Sequence, residues 1–264
     1  MVAVYSFIFA LFVASALVPV LMRWAAPLGL MDQPGARKIH HTPVPQIGGI
    51  AIIVAALLAI LLFARGRPDI AAYLVASLVL AVFGVVDDRV NLNYRWKVLG
   101  QIVAALVVVL WGGVQITRFP FSFDAVLPLW FSVPFTVFAL VGITNAVNLS
   151  DGMDGLAGGT GLLAADALGF FAWLGGDKTT ALFALCLVGA TLGFLRYNTF
   201  PARVFLGDAG SQFLGFSVGV LAVMTVEIAN RAVSPMVAVL ILGLPILDTL
   251  YVMTRRVLSG RSPF

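Results

Sequence analysis

The sequence predicts an all-α fold, a polytopic bundle of about nine membrane-spanning helices. Hydrophobic residues make up 61% of the 264-residue chain and charged residues 11%, where a soluble domain carries roughly 25% charged. The mean hydropathy is +1.05. The apolar residues are collected into stretches of helix length separated by short polar connections, so no sizeable soluble domain fits beside them. With no long linker, low-complexity tract or repeat, residues 1–264 read as one domain.

In chain order the stretches run from about Val2 to Trp24, Ile47 to Ala64, Ile70 to Val86, Val98 to Ile116, Leu129 to Thr144, Leu156 to Leu174, Thr180 to Leu195, Phe213 to Val226 and Pro235 to Met253. The first contains Ala14-Ser-Ala16, which resembles a signal-cleavage site, but no Lys or Arg precedes it and Arg23 follows it. An uncleaved span with its amino terminus outside fits better. Gly155/Gly159, Gly189/Gly193 and Gly215/Gly219 have the spacing that lets helices approach closely. Cys186, the one cysteine, can make no internal disulfide.

Loops after the odd-numbered spans carry Arg23, Arg37, Lys38, Arg89, Arg95, Lys97, Arg196, Arg203, Arg255, Arg256 and Arg261, which is 11 of 16 basic residues. The opposite loops hold only Arg65, Arg67, Arg118, Lys178 and Arg231. By the positive-inside rule the first set faces the cytoplasm of an inner (plasma) membrane. The net charge of +4 therefore reports orientation and not nucleic-acid binding. Every polar motif below falls on the same side.

The first of these loops, Asp32 to Gly49, has three prolines that limit backbone freedom, while Arg37, Lys38, His40 and His41 offer donors for an anion such as phosphate. Zinc is disfavoured there, because no cysteine lies nearby. The second loop opens on Asp87-Asp88. Acids at a helix carboxyl end oppose the helix dipole, which argues against a capping role. An adjacent carboxylate raises its neighbour's proton affinity and keeps one acid ready to accept a proton. Lys97 either snorkels from the next span or holds phosphate.

The third loop holds the most informative cluster, Asn145, Asn148, Asp151 and Asp154 at three-residue spacing, with Gly152 and Gly155 permitting a tight turn. Such groups cost several kcal/mol in hydrocarbon, so an apolar chain keeps them at a bilayer edge to bind something. Oxygen donors of this kind suit Mg²⁺ shared with substrate phosphates. Ca²⁺ fits less well, since Glu227, the only glutamate, lies on the opposite side. In the fourth loop Asp208 and Ser211 stand at the start of a helix, where free backbone N–H groups bind anions. Phe200 and Phe205 either stack on a base or are ordinary aromatic residues of the headgroup region.

Taken together, Arg37 through Gly49, Asp87-Asp88, Asn145 through Gly155 and Asn198 through Ser211 resemble the polyprenyl-phosphate N-acetylhexosamine-1-phosphate transferases, the family that includes phospho-N-acetylmuramoyl-pentapeptide transferase. The resemblance covers nearly the whole chain. It implies transfer of sugar 1-phosphate from a UDP-N-acetylhexosamine to a polyprenyl (undecaprenyl) phosphate at the cytoplasmic face, with UMP released. It further implies Mg²⁺ at Asn148 and Asp208, activation of the lipid phosphate by Asp87, and catalytic roles for Asp88, Asp151 and Asp154. Lys38, Lys97, Asn145, Asn198, Arg203 and Phe205 match substrate-binding positions. The expected partners are the two substrates and the bilayer, with a homodimer as an option.

The same family carries a histidine motif and at least one more span after the point where this chain reaches Phe264, so the chain is expected to lack the last one or two helices. The Ser-Pro-Phe ending resembles the N-acetylglucosamine or N-acetylgalactosamine branch more than the muramoyl-pentapeptide branch. Direct attack by the lipid phosphate and a two-step route through an aspartyl phosphate both remain open. A transporter is the reading from another class, since Asp166 and Asp248 fall within apolar runs.

Overall fold

The computed structural model describes residues 1–34, 42–119, 126–229 and 233–260. Helices dominate it. Seven are long and apolar enough to cross a bilayer: α1 (Val2–Ala25), α3 (Pro68–Val90), α4 (Tyr94–Leu106), α5 (Leu129–Leu149), α6 (Leu156–Leu174), α7 (Lys178–Asn198) and α8 (Gly207–Met224). Two of these, α4 and α8, continue through π-helical turns, Val107–Trp111 and Thr225–Ala229. The second apolar stretch forms α2 (Gly48–Phe63), which at 16 residues is shorter than the others.

The ninth stretch is broken. It forms α9 (Pro235–Ile241) and α10 (Gly243–Leu258), whose axes are bent by 66°. Pro245 has no N–H to give the carbonyl of Ile241, and Gly243 adds backbone freedom at the same place, so a continuous helix ends there. The bend turns α10 toward α5.

Helix ends differ from the hydropathy windows in a way that moves the polar residues. Helix α3 runs on through Asp87 and Asp88 until Asn91 takes a left-handed conformation, φ 51°, and stops it. Asn93 then caps α4 by accepting from the Arg95 N–H at 3.1 Å. Similarly, α5 extends past Asn145 and Asn148, and α8 starts early enough to hold Asp208 and Ser211 in its first turns. The motifs are thus on rigid helix ends. The shared end of α3, α5 and α7 meets the start of α4, α6 and α8.

Helix α8 is the axis of the bundle, buried along nearly its whole length among α2, α3, α5 and α6. Small residues make this possible. A Cβ on Gly49 would lie 2.3 Å from the backbone N of Gly210, and one on Gly84 would lie 2.4 Å from Cα of Ala209. Gly215 and Gly219 pack on α5, and Gly189 and Gly193 press α7 onto the Phe7 and Leu11 carbonyls of α1. The Gly155/Gly159 pair does not pack this way: Gly159 has no neighbour near its Cβ position, and Gly155 opens α6 at φ 75°.

A two-residue antiparallel pairing, β1 (Met31–Asp32) with β2 (Val44–Pro45), closes the base of the first loop. Beyond it the chain is tied to the fourth loop by backbone bonds from Phe205 to Pro45, from Gly48 to Phe205 and from Gly49 to Leu206, at 2.8, 3.0 and 2.8 Å. Lys38, with Arg37, His40 and His41, lies outside the described residues.

At the opposite end, Arg67 forms ion pairs with Asp69 and with Asp177, the latter at 2.5 Å. Glu227 accepts from the N–H and hydroxyl of Thr117 at 3.2 and 2.6 Å, and lies 3.6 Å from Nε of Arg118.

Candidate active site

Where α3, α4, α5 and α8 meet at the polar end, Lys97 reaches between two carboxylates. Its Nζ is 2.5 Å from Oδ2 of Asp87 and 3.2 Å from Oδ2 of Asp208. Asp87 is almost fully buried, and its other oxygen accepts from the Leu92 N–H at 2.8 Å. The tight turn at Asn91 to Asn93 brings Lys97 back along its neighbour to make this bridge. Lys97 therefore does not snorkel toward the lipid; it sits between the acids.

Asp208 is also bonded on its far side. Nδ2 of Asn148 donates to Oδ1 of Asp208 at 2.7 Å and to the Ser211 hydroxyl at 2.8 Å. The two residues expected to hold a metal are therefore in contact. Among the described residues, no three His, Cys, Asp or Glu side chains gather closely enough to hold a metal by themselves. An ion here would have to complete its shell with water or substrate oxygens.

Asp88 has a capping role, which the sequence argument disfavoured. Its carboxylate accepts from the backbone N–H groups of Asp208 and Ala209, at 2.6 and 3.1 Å. It opposes the dipole of its own helix but caps another, since α8 begins beside it and presents the electropositive end. Gly207, at φ 76°, admits the carboxylate; a Cβ there would lie 2.9 Å from Oδ2 of Asp88.

Asp151 is half-buried between α5 and α6, and its carboxyl is pushed up to about 7. Burial is the main cause, followed by repulsion from Asp208, Asp88 and Asp154. These acids share one field, a place that favours a cation. Asp154 accepts from the Ala202 N–H at 2.9 Å, while Asn198 accepts from the Gly155 N–H at 3.0 Å and donates to the Val204 carbonyl at 2.9 Å. Both side chains fasten the third loop to the fourth. Arg203 is exposed, with its guanidinium 5.3 Å from the ring centre of Tyr197, and Phe205 is half-buried at the first-loop junction.

Asn145 does not converge with Asn148. It lies one turn deeper, where its Nδ2 donates to Oε1 of Gln101 at 2.6 Å and its Oδ1 lies 3.3 Å from Nε2 of Gln101. That nitrogen also reaches Oε1 of Gln212 at 3.1 Å. Sequence reading missed both glutamines. The available signal was their position, four residues after Lys97 and four after Asp208. Asp248 on α10 lies 3.4 Å from the hydroxyl of Ser150, beside Asp151, whereas Asp166 faces outward on α6.

A helical bundle with a lysine-bridged acidic cluster gathered at one end defines a multi-pass membrane protein with a site suited to phosphates. Residues 70–226 match the family described as Glycosyl transferase family 4, and the chain belongs to that family. It is 35% identical over 260 residues to a probable undecaprenyl-phosphate N-acetylglucosaminyl 1-phosphate transferase of Bacillus subtilis (strain 168), a match covering 97% of this chain and 72% of that protein. It is 30% identical over 250 residues to the undecaprenyl-phosphate alpha-N-acetylglucosaminyl 1-phosphate transferase of Escherichia coli (strain K12), covering 91% and 67%. The protein of that name from Yersinia pestis is 28% identical over 269 residues, covering 99% and 72%.

Proposed function

We propose that this protein transfers N-acetylglucosamine 1-phosphate from UDP-N-acetylglucosamine to undecaprenyl phosphate, giving undecaprenyl-diphosphate N-acetylglucosamine and UMP. The observation that carries the reading is Lys97 held between Asp87 and Asp208, with Asn148 on the far side of Asp208. Two anionic substrates repel each other, and a site that joins them must supply positive charge within a frame of acids that holds it in place. The names of the relatives favour N-acetylglucosamine over the muramoyl-pentapeptide substrate.

Asp208 and Asn148 would hold Mg²⁺. Two protein ligands suffice for an ion that keeps waters and takes substrate phosphate oxygens, and the Asn148 amide can turn its oxygen inward. When bound, Mg²⁺ neutralises the diphosphate of the donor. Asp87 accepts the proton of the lipid phosphate while Lys97 holds that phosphate's charge. The lipid phosphate oxygen then attacks the sugar-bearing phosphorus, the new P–O bond forms, and the bond to UMP breaks with its electrons leaving on UMP.

The site faces the cytoplasm of the inner membrane and the amino terminus lies outside, supported by the placement of 11 of the 16 basic residues. Nine crossings are proposed, counting the short α2 and treating α9 with α10 as one broken crossing.

Membranes containing the protein, incubated with labelled UDP-sugars, undecaprenyl phosphate and Mg²⁺, should yield a labelled lipid with UDP-N-acetylglucosamine and lose it on chelation. Failure to label any lipid, with all substrates present, would refute the reading. A phosphorylated enzyme trapped in a single turnover would instead replace direct attack by a two-step route.

A further inference from the structure

We propose that Gln101, Asn145 and Gln212 form a neutral positioning layer, one helical turn below the charged site, that sets the register of α4, α5 and α8. The proposal rests on the transferase reading above and assigns these residues, Asn145 among them, a role without substrate contact. Gln101 follows Lys97 by four residues, Gln212 follows Asp208 by four, and Asn145 precedes Asn148 by three on a helix running the opposite way. Each amide therefore lies directly beneath one member of the upper layer. The same three helices carry both layers.

The bonds form one connected set. Gln101 and Asn145 exchange contacts at 2.6 and 3.3 Å, and Gln101 bonds Gln212 at 3.1 Å. Asn145 also donates to the Val141 carbonyl of its own helix at 2.8 Å. Gln101 and Gln212 are each 1% exposed and Asn145 is half-buried, so solvent has little access to the two glutamines. Leaving one of them without its partner in such surroundings is unfavourable, which makes the set act as a unit.

The close contacts of α8 with α2 and α5 at Gly210, Gly215 and Gly219 set the distance between the helices. Amide bonds are directional, so a slip of α8 along α4 or α5 breaks them. Being uncharged, they do this without competing for Lys97 or altering the field around Asp208. A displacement of about 1 Å at the reacting groups is enough to cost roughly 100-fold in rate.

Gln101→Met, Gln212→Met and the double variant keep side-chain size and remove the bonds. Each single variant should lower kcat for lipid-linked sugar formation about 10- to 100-fold with KM for both substrates unchanged. The double variant should be no slower than the slower single variant, since either change opens the same set. A rise in KM with kcat kept would mean the amides touch substrate, and unchanged kinetics or independent, multiplying losses would mean no shared layer; each result overturns the proposal. Gln101→Asn and Gln212→Asn, which keep an amide but shorten it, should show the same kcat loss and serve where a Met variant does not fold. A structure of Gln212→Met with Lys97 still bridging Asp87 and Asp208 would overturn the layer whatever the activity. Absence of product from the unaltered protein would instead count against the transferase reading alone.

Discussion

Asp87 and Asp88 are neighbours in sequence with different work. Asp87 is buried against Lys97, and Asp88 closes the first turn of α8 from outside that helix. Asp87→Asn weakens the charge that holds Lys97 and removes the proton acceptor, so product formation should fall by at least about 100-fold while the protein melts near its usual temperature. Asp208→Asn should give a comparable loss, read by the same lipid-labelling assay, because it takes a charge from both Lys97 and the proposed ion. Asp88→Ala acts differently. It leaves the N–H groups of Asp208 and Ala209 without their acceptor and should cost about 1 to 2 kcal/mol of stability, visible as a lower melting temperature in detergent.

At the scale of elements, the site depends on how closely α8 can be approached. Gly49→Ala puts a methyl group against the backbone of Gly210, which has no flexible side chain to yield. Overpacking of this kind costs about 1 to 3 kcal/mol, and here it also pries α2 from the start of α8, so melting temperature and activity should fall together. The opposite end is held by charge. Burial alone would raise the Asp177 carboxyl, but hydrogen bonds from Arg67 and Thr180 bring it below the usual carboxylate range. A depressed folded-state value contributes stability above the unfolded value near 4, lost as pH falls through the folded one. Melting temperature should therefore drop more steeply on acidification below about pH 4 in the unaltered protein than in Asp177→Asn.

For the whole molecule, the proposed orientation puts Asn91 inside and Lys178 outside. Cys186 is buried, so single cysteines at exposed positions report cleanly. In intact cells an impermeant thiol reagent should label Lys178→Cys and spare Asn91→Cys until the membrane is opened; the reverse pattern would invert the topology. The charge bias on which the proposed sidedness rests was legible in the chain, because charge and apolar length are local, additive quantities. The acids of the polar end were legible for the same reason, since few polar residues survive in so apolar a sequence. Their division of labour was not. Whether Asp88 meets solvent, a substrate or another helix depends on Gly207 and the start of α8, which lies 120 residues further on.

The sequence by itself determined the class of fold and the gathering of Asp87, Asn148, Asp151 and Asp208 toward one end. Only the tertiary structure decided that Lys97 stands between two acids, that Asp88 caps α8, that Asp154 and Asn198 fasten loops, and that Asn145 belongs to a deeper layer with Gln101 and Gln212. Helical period says which residues share a face of one helix, but a hydrogen bond between helices is set by their register. That register follows from where glycine permits contact and where directional polar groups stop the sliding, and neither is a property of any one segment.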